Sequence, residues 1–161
     1  MFTVLYLRKS ETPTDEELNW IQKMLSQYAL TDSGLWLQSL PWTRFEFRWC
    51  PEMNVNNGVM GCFTPLHPDK IFLQRFDTAI KNPDGRIDWI EQIFSTIVHE
   101  LRHAHQWKKS KIAYLLCSLP VLRQYTLETD AEHAEEQAED FALRWTHRQN
   151  FIYRSQKNKS E

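Results

Sequence analysis

Two histidines one helical turn apart, with a carboxylate beside the first, stand at His99-Glu100-Leu101-Arg102-His103. At about 3.6 residues per turn, positions i and i+4 share a helix face, so His99 and His103 can offer neutral imidazole nitrogens to one metal ion. Glu100 lies about 100° around the helix, to the side of that pair, where a carboxylate reaches a water on the metal rather than the metal itself. On a helix this HExxH spacing carries the chemistry of a hydrolytic zinc site. The same letters on an ordinary solvated face would carry none, so the surrounding elements have to decide.

A catalytic zinc site takes three protein ligands and keeps one position open. His105 follows His103 by two residues and projects about 200° away, out of reach of the same ion on an unbroken helix. Gln106 and Lys109 stand where the metzincin pattern has its glycine and third histidine. The remaining source is the acidic segment from Glu128 to Trp145, whose apolar residues Ala131, Ala134, Ala138, Phe141, Ala142 and Trp145 predict a helix with a narrow buried stripe. In that projection Glu135 falls within the stripe, while Glu132, His133, Glu136 and Asp140 point elsewhere. A carboxylate among small apolar side chains is costly to bury unless it is paired or binds a metal. Glu135 is therefore the expected third ligand. Glu139, one turn on, is expected behind it, accepting a hydrogen bond from the far nitrogen of a ligand histidine. The alternative is that Glu135 reaches past the alanines into water.

With Glu135-x-x-Ala138-Glu139 following His99-Glu100-x-x-His103, the chain resembles the gluzincins, and among them the compact minigluzincin-like zinc peptidases. Glu139 stands where that pattern more often has Asp. The stretch Glu135 to Ala142, read as E-x-x-A-x-x-F-A, also resembles small peptidases encoded beside phage repressors. The resemblance spans roughly Phe45 to Trp145. It implies one zinc per chain held by His99, His103 and Glu135, Glu100 as general base, Glu139 supporting the ligands, and hydrolysis of peptide bonds in a zincin-like α+β fold. Two other readings stay open: a regulatory or binding module that keeps the zinc site without hydrolysis, and a SprT-like peptidase acting on nucleic-acid-bound proteins. The first would want a fourth protein ligand, the second a basic surface.

The elements that would position these residues follow from periodicity. Ile90, Ile93, Phe94, Ile97, Leu101 and Ala104 mark one apolar stripe on a helix over Ile87 to Lys109, with His99 and His103 on the other side beside Gln92, Ser95, Thr96 and Gln106. That side faces either water or a polar cleft roofed by another element. Upstream, residues 44–49, 59–63 and 70–74 predict strands, with a tight-turn signal at Asn56-Asn57-Gly58. Ile71, Phe72 and Leu73 are the candidate edge strand for an extended substrate, since an unpaired edge offers free backbone donors and acceptors. Thr14 and Glu17 form a capping box that opens a helix through about Leu30. Residues 115–122, interrupted by Pro120, are expected to link the two site helices and help wall the cleft. Lys108, Lys109 and Lys111 suit the C-terminal dipole of the HExxH helix.

Composition fits one compact soluble domain, which with the resemblance implies a single zincin-like metallopeptidase domain over residues 1–153 with a flexible tail at 154–161. A chain of 161 residues, 42% of them hydrophobic and 13% aromatic, can bury a single core. The formal net charge of −2 gives no general attraction to nucleic acid or to an anionic membrane. Arg8, Lys9 and Glu11 interrupt the N-terminal apolar run, so neither a secretory signal nor a membrane span is expected and a cytoplasmic setting is the default. Cys50, Cys62 and Cys117 lack metal-ligand spacing and are expected to be buried structural residues. A peptide or protein substrate is the expected partner, and nothing in the composition sets an oligomeric state.

Overall fold

The computed structural model describes residues 5–6, 15–40, 46–49, 61–68, 70–73 and 87–157. The HExxH residues lie in helix α2, Ile87–Lys109, with the boundaries that the apolar periodicity predicts. Along it Ile93, Phe94, Ile97, Leu101 and Ala104 are buried, as the stripe requires. The opposite side is not solvated either: Ser95, Thr96, Glu100 and His103 are all buried. α2 is thus a central helix covered on its polar side as well, and the choice between water and a roofed cleft resolves to the cleft.

The roof is helix α5, Thr129–Lys157. It runs antiparallel to α2, as its cross-contacts show: residues descending α2 meet residues ascending α5. Gln106 bonds the Leu127 carbonyl just before α5, Arg102 meets Asp130, His99 meets Glu135, Phe94 meets Phe141, and Glu91 meets Thr146. The predicted alanine stripe faces α2, with Ala131, Ala134, Ala138 and Ala142 buried. Side chains this small let the two backbones approach closely, which is what brings polar side chains from both helices into bonding range. The helix continues through Lys157, so the tail expected from Arg154 begins as helix, and residues 158–161 lie outside the described residues.

Helix α1, Asp15–Tyr28, closes the other side of α2 with Ile21, Met24, Leu25 and Tyr28 buried. Its Tyr28 ring packs edge-on to Phe94 at 5.8 Å between centroids and touches Phe141 at 5.3 Å, joining α1, α2 and α5 in one aromatic cluster. Gln27 accepts a hydrogen bond from the Trp145 indole at 2.7 Å, tying α1 to α5 a second time. The capping residue Thr14 lies outside the described residues. A 3₁₀ turn, Leu35–Ser39, follows α1 and buries Leu37.

The sheet has four strands, β1 (Leu5–Tyr6), β2 (Glu46–Trp49), β3 (Gly61–Phe63) and β4 (Lys70–Leu73), in the order β1-β2-β4-β3. β4 pairs with β2 in parallel and with β3 antiparallel. The turn signal at 56–58 lies outside the described residues, and the strands on either side of it are not neighbours, because β4 stands between them. Ile71, Phe72 and Leu73 are therefore interior and cannot serve as an edge. Within β4, Ile71 is fully buried. Among the described residues the edge strands are β1 and β3. The fold is α+β and mostly helical.

Between α2 and α5 the chain forms helix α3 (Lys111–Cys117), one turn of helix α4 (Pro120–Arg123) and a π-helical turn, Gln124–Glu128, that leads into α5. Ser110 caps α3 by accepting from the Ala113 N–H at 3.2 Å, and Pro120 opens α4 at the position where its missing N–H costs nothing.

Because Phe94 sits where three helices meet, Phe94→Ala is expected to lower unfolding free energy by about 3–5 kcal/mol. Urea denaturation followed by circular dichroism checks this: the midpoint should fall with the slope unchanged.

Candidate metal centre

α2 presents His99 and His103 on one face, with their rings 5.0 Å apart between centroids. The third member of the group is Glu128, the last residue of the π turn. Its Oε2 lies 3.4 Å from Nε2 of His99 and 3.4 Å from Nε2 of His103. Ligand atoms about 2.0–2.1 Å from a tetrahedral ion stand about 3.3 Å from one another, so these separations match the edges of such a site. All three atoms lie within 4.8 Å of one another, the one group of this kind among the described residues.

The hydrogen bonds behind the histidines fix which nitrogens face the centre. The side-chain NH₂ of Gln106 donates to the Leu127 carbonyl at 3.0 Å and to Oδ2 of Asp130 at 2.8 Å. Its Oε1 is thereby turned to Nδ1 of His103, 2.8 Å away, and can only accept. Nδ1 of His103 therefore carries a proton toward Gln106, and Nε2 is the nitrogen turned toward Glu128. His99 is held in the same sense: Nδ1 meets Oε2 of Glu135 at 2.8 Å, and Nε2 faces Glu128. A ligand histidine backed by a carboxylate or an amide oxygen is the usual way a protein sets ring orientation and basicity at a metal. The outer anchor of this scaffold is Asp130, gripped by Arg102 through Nε at 2.8 Å and Nη2 at 3.0 Å. Trp36 lies under the Arg102 guanidinium at 5.0 Å.

Charge adds to geometry. Burial disfavours the protonated His99 ring, but Glu128 and Glu135, with Glu100 nearby, outweigh it and raise its pKa to about 10. The same contacts, with His103 first, then His99 and Arg123, hold the Glu128 carboxyl well below the usual carboxylate range against the opposing effect of burial. Glu100 is displaced the other way: burial raises its pKa, while His103, His99 and the Phe63 N–H act in opposition. That N–H donates to Oε2 of Glu100 at 2.6 Å and joins the free-edge strand to the carboxylate. The approach is tight enough to require Gly61. A Cβ there would stand 2.8 Å from both Cγ of Glu100 and Cγ2 of Thr96.

These groups surround a cavity of about 440 Å³ lined by β3, His99, Glu100, His103, Arg123 and Glu128, with Thr96 and Glu135 completing the wall. Among the side chains that could donate to a developing oxyanion, Arg102 is held by Asp130 and Tyr125 is exposed. Tyr114 is buried, its ring 6.4 Å from His103 and 6.0 Å from Phe63. The cation in the cavity wall is instead Arg123, whose Nε bonds Oε1 of Glu128 at 2.6 Å. Cys62, expected to be buried, is exposed on β3 and lines the cavity, Cys117 is partly buried, and Cys50 lies outside the described residues.

The expected ligand set therefore changes by one residue and one heptad. Glu135 takes the supporting position assigned to Glu139, and Glu128 takes the metal-facing position assigned to Glu135. Glu139 is exposed and outside the group. The sequence held a signal for this: Glu128-x-x-Ala131-Glu132 repeats the spacing of Glu135-x-x-Ala138-Glu139. Seven residues are two turns, so both glutamates share one helix face and a projection cannot separate them. What separates them is height along α2, about 10.5 Å at 1.5 Å per residue, set by the antiparallel register.

No family model, curated protein or solved structure matches this chain. The donor set is two imidazoles and one carboxylate with one cavity-facing side, which suits zinc. Glu128→Ala is expected to lower zinc affinity by more than 100-fold, Glu135→Ala by about 10–100-fold through the freed His99 ring, and Glu139→Ala not measurably. Competition with a chelating dye checks the order, and metal retained by Glu128→Ala but lost from Glu135→Ala would reverse the assignment.

The pH dependence has a definite sign. In metal-free protein, protonated His99 contributes stability that is complete below its ordinary value of about 6.5 and is lost as pH rises through about 10. Zinc has to displace that proton. Its affinity should climb about tenfold per pH unit between 6.5 and 8, with about one proton released per ion by calorimetry in buffers of different ionisation enthalpy.

Proposed function

We propose that this chain is a zinc-dependent peptidase of zincin-like architecture, with His99, His103 and Glu128 as ligands and Glu100 as general base. The observation that carries the reading is the meeting of the HExxH helix with a third carboxylate at tetrahedral spacing, beside an open cavity and a free strand edge. Bound zinc would supply Lewis acidity and bring the pKa of a water on it to about 7.

The chain's own groups supply the rest. Glu100 is buried at the cavity wall with a raised pKa, which suits a carboxylate that takes a proton near neutral pH and returns it to the leaving amine. The Phe63 N–H holds one carboxylate oxygen and fixes the plane of the group. β3 offers an extended peptide a backbone partner along its free edge, with Gly61 and Cys62 beside the ligands. Arg123 places a positive charge in the wall while its bond to Glu128 steadies that ligand, so negative charge developing on a substrate oxygen has a cation at hand. The resemblance to gluzincins supports the same reaction class with Glu128 exchanged for Glu135.

The test is Glu100→Gln, which keeps size and polarity but cannot accept a proton. With zinc content unchanged on the same samples, cleavage of a peptide selected from an unbiased library should fall by several orders of magnitude. Cleavage at the wild-type rate would remove Glu100 from the role of base, and a chain with a purely structural zinc would show no cleavage in either form.

A further inference from the structure

The segment joining the two site helices is exposed where a core linker would be buried. Seven of the eleven large exposed hydrophobic residues among the described residues fall within residues 112–125. Ile112, Leu115 and Leu116 lie one turn apart on the outer side of α3, and Leu119, Val121 and Leu122 continue the surface across α4. Each of these, and Tyr125 after them, is between 48% and 76% exposed. The inner side of α3 is satisfied separately, by Tyr114 packed against Phe63 and Trp107. A contiguous apolar patch of this kind marks an interaction surface.

Its charge selects the partner. Residues 108–127 contain no acidic residue, and although Arg123 is bonded to Glu128 in the cavity wall, Lys108, Lys109 and Lys111 give the surface a local charge of +3 in a chain of net −2. The three lysines are exposed at the start of the patch, with the Lys111 ammonium 5.7 Å from the Trp107 ring centre. The patch itself is aliphatic, with Tyr125 at its far end. Protein-binding hot spots favour Trp, Tyr and Arg, with Leu and Val under-represented. An aliphatic surface bordered by lysines with a tyrosine at its margin is instead the composition of a segment lying in the headgroup region of an anionic bilayer. No helix among the described residues is long and apolar enough to cross a membrane, and peripheral contact needs none.

We infer that the α3–α4 surface docks the protein on anionic lipid bilayers, with the aliphatic residues inserted and the lysines on the headgroups. This is independent of the peptidase reading, because none of the inserting residues touches the metal group.

Sedimentation of the full chain with phosphatidylcholine vesicles containing 30% phosphatidylserine, against pure phosphatidylcholine vesicles, tests it. The anionic vesicles should bind at least tenfold more tightly. Leu116→Glu combined with Val121→Glu should abolish binding, and Lys108→Gln with Lys109→Gln should reduce it severalfold, more at low salt than at 0.5 M. These positions are exposed, so circular dichroism of each variant should match the wild type. Absence of binding to either vesicle by folded wild-type protein would overturn the inference. So would concentration-dependent self-association that Leu116→Glu abolishes in protein that ignores both vesicles, which would assign the surface to a second copy of the chain. Equal binding to both vesicle types would overturn the electrostatic part.

Discussion

The antiparallel register of α2 against α5 is the constraint on which the candidate site depends. Arg102 and Gln106 on α2 converge on Asp130 in the first turn of α5, and the bidentate grip of Arg102 allows little sliding. A slip of one turn would move each α5 carboxylate by about 5.4 Å and break the contacts that His99 and His103 make with Glu128 and Glu135. The pair is half-exposed, so its contribution to stability is modest, and its consequence is positional.

Around that anchor, close packing and polar satisfaction depend on each other. Four alanines of α5 let the helix approach α2, and the approach would bury unpaired polar groups if the side chains between the helices did not find partners. They do so in a continuous series: Gln106 satisfies His103 and the Leu127 carbonyl, Glu135 satisfies His99, and Thr146 satisfies Glu91 near the other end. The aromatic cluster of Tyr28, Phe94 and Phe141 fills the space where the interface turns apolar. One helix pair thus has a polar end that holds His99, His103 and Glu128 together and an apolar middle around Phe94 that holds the fold.

The π turn is where the chain departs from regular helix, and it carries both Arg123 at its threshold and Glu128 at its close. Such turns occur often at functional sites because the wider winding re-aims a side chain without breaking the helix. Here it allows Glu128 to face the His99 and His103 nitrogens from one side while Glu135, two turns later, backs His99 from the other. A ring between two carboxylates would be held protonated in the metal-free protein. A divalent cation bound in the proposed site would replace that proton and relieve the crowding of negative charge among Glu100, Glu128 and Glu135.

The sequence alone determined the elements that are governed by local spacing. The bounds of α2, the buried face of α5, the pairing of His99 with His103 on one face and the position of Glu100 beside them all follow from helical periodicity, which is a property of neighbouring residues. It did not determine which of two identically spaced glutamates faces the histidines, because the heptad repeat makes Glu128 and Glu135 equivalent in projection and only the contact between Arg102 and Asp130, 28 residues apart, distinguishes them. Nor did it determine the sheet edge: β3 and β4 are both short and apolar, and β4 is interior only because a parallel neighbour from residues 46–49 takes its other side. The cation at the cavity and the exposed aliphatic surface were likewise hidden. Arg123 gains its role from the π turn, and Leu115 to Leu122 read as a linker that helps wall the cleft until the inner face of α3 is found already filled by Tyr114. In each case the deciding partner is distant in sequence, and a pattern within one segment carries no information about the height or side from which another segment arrives.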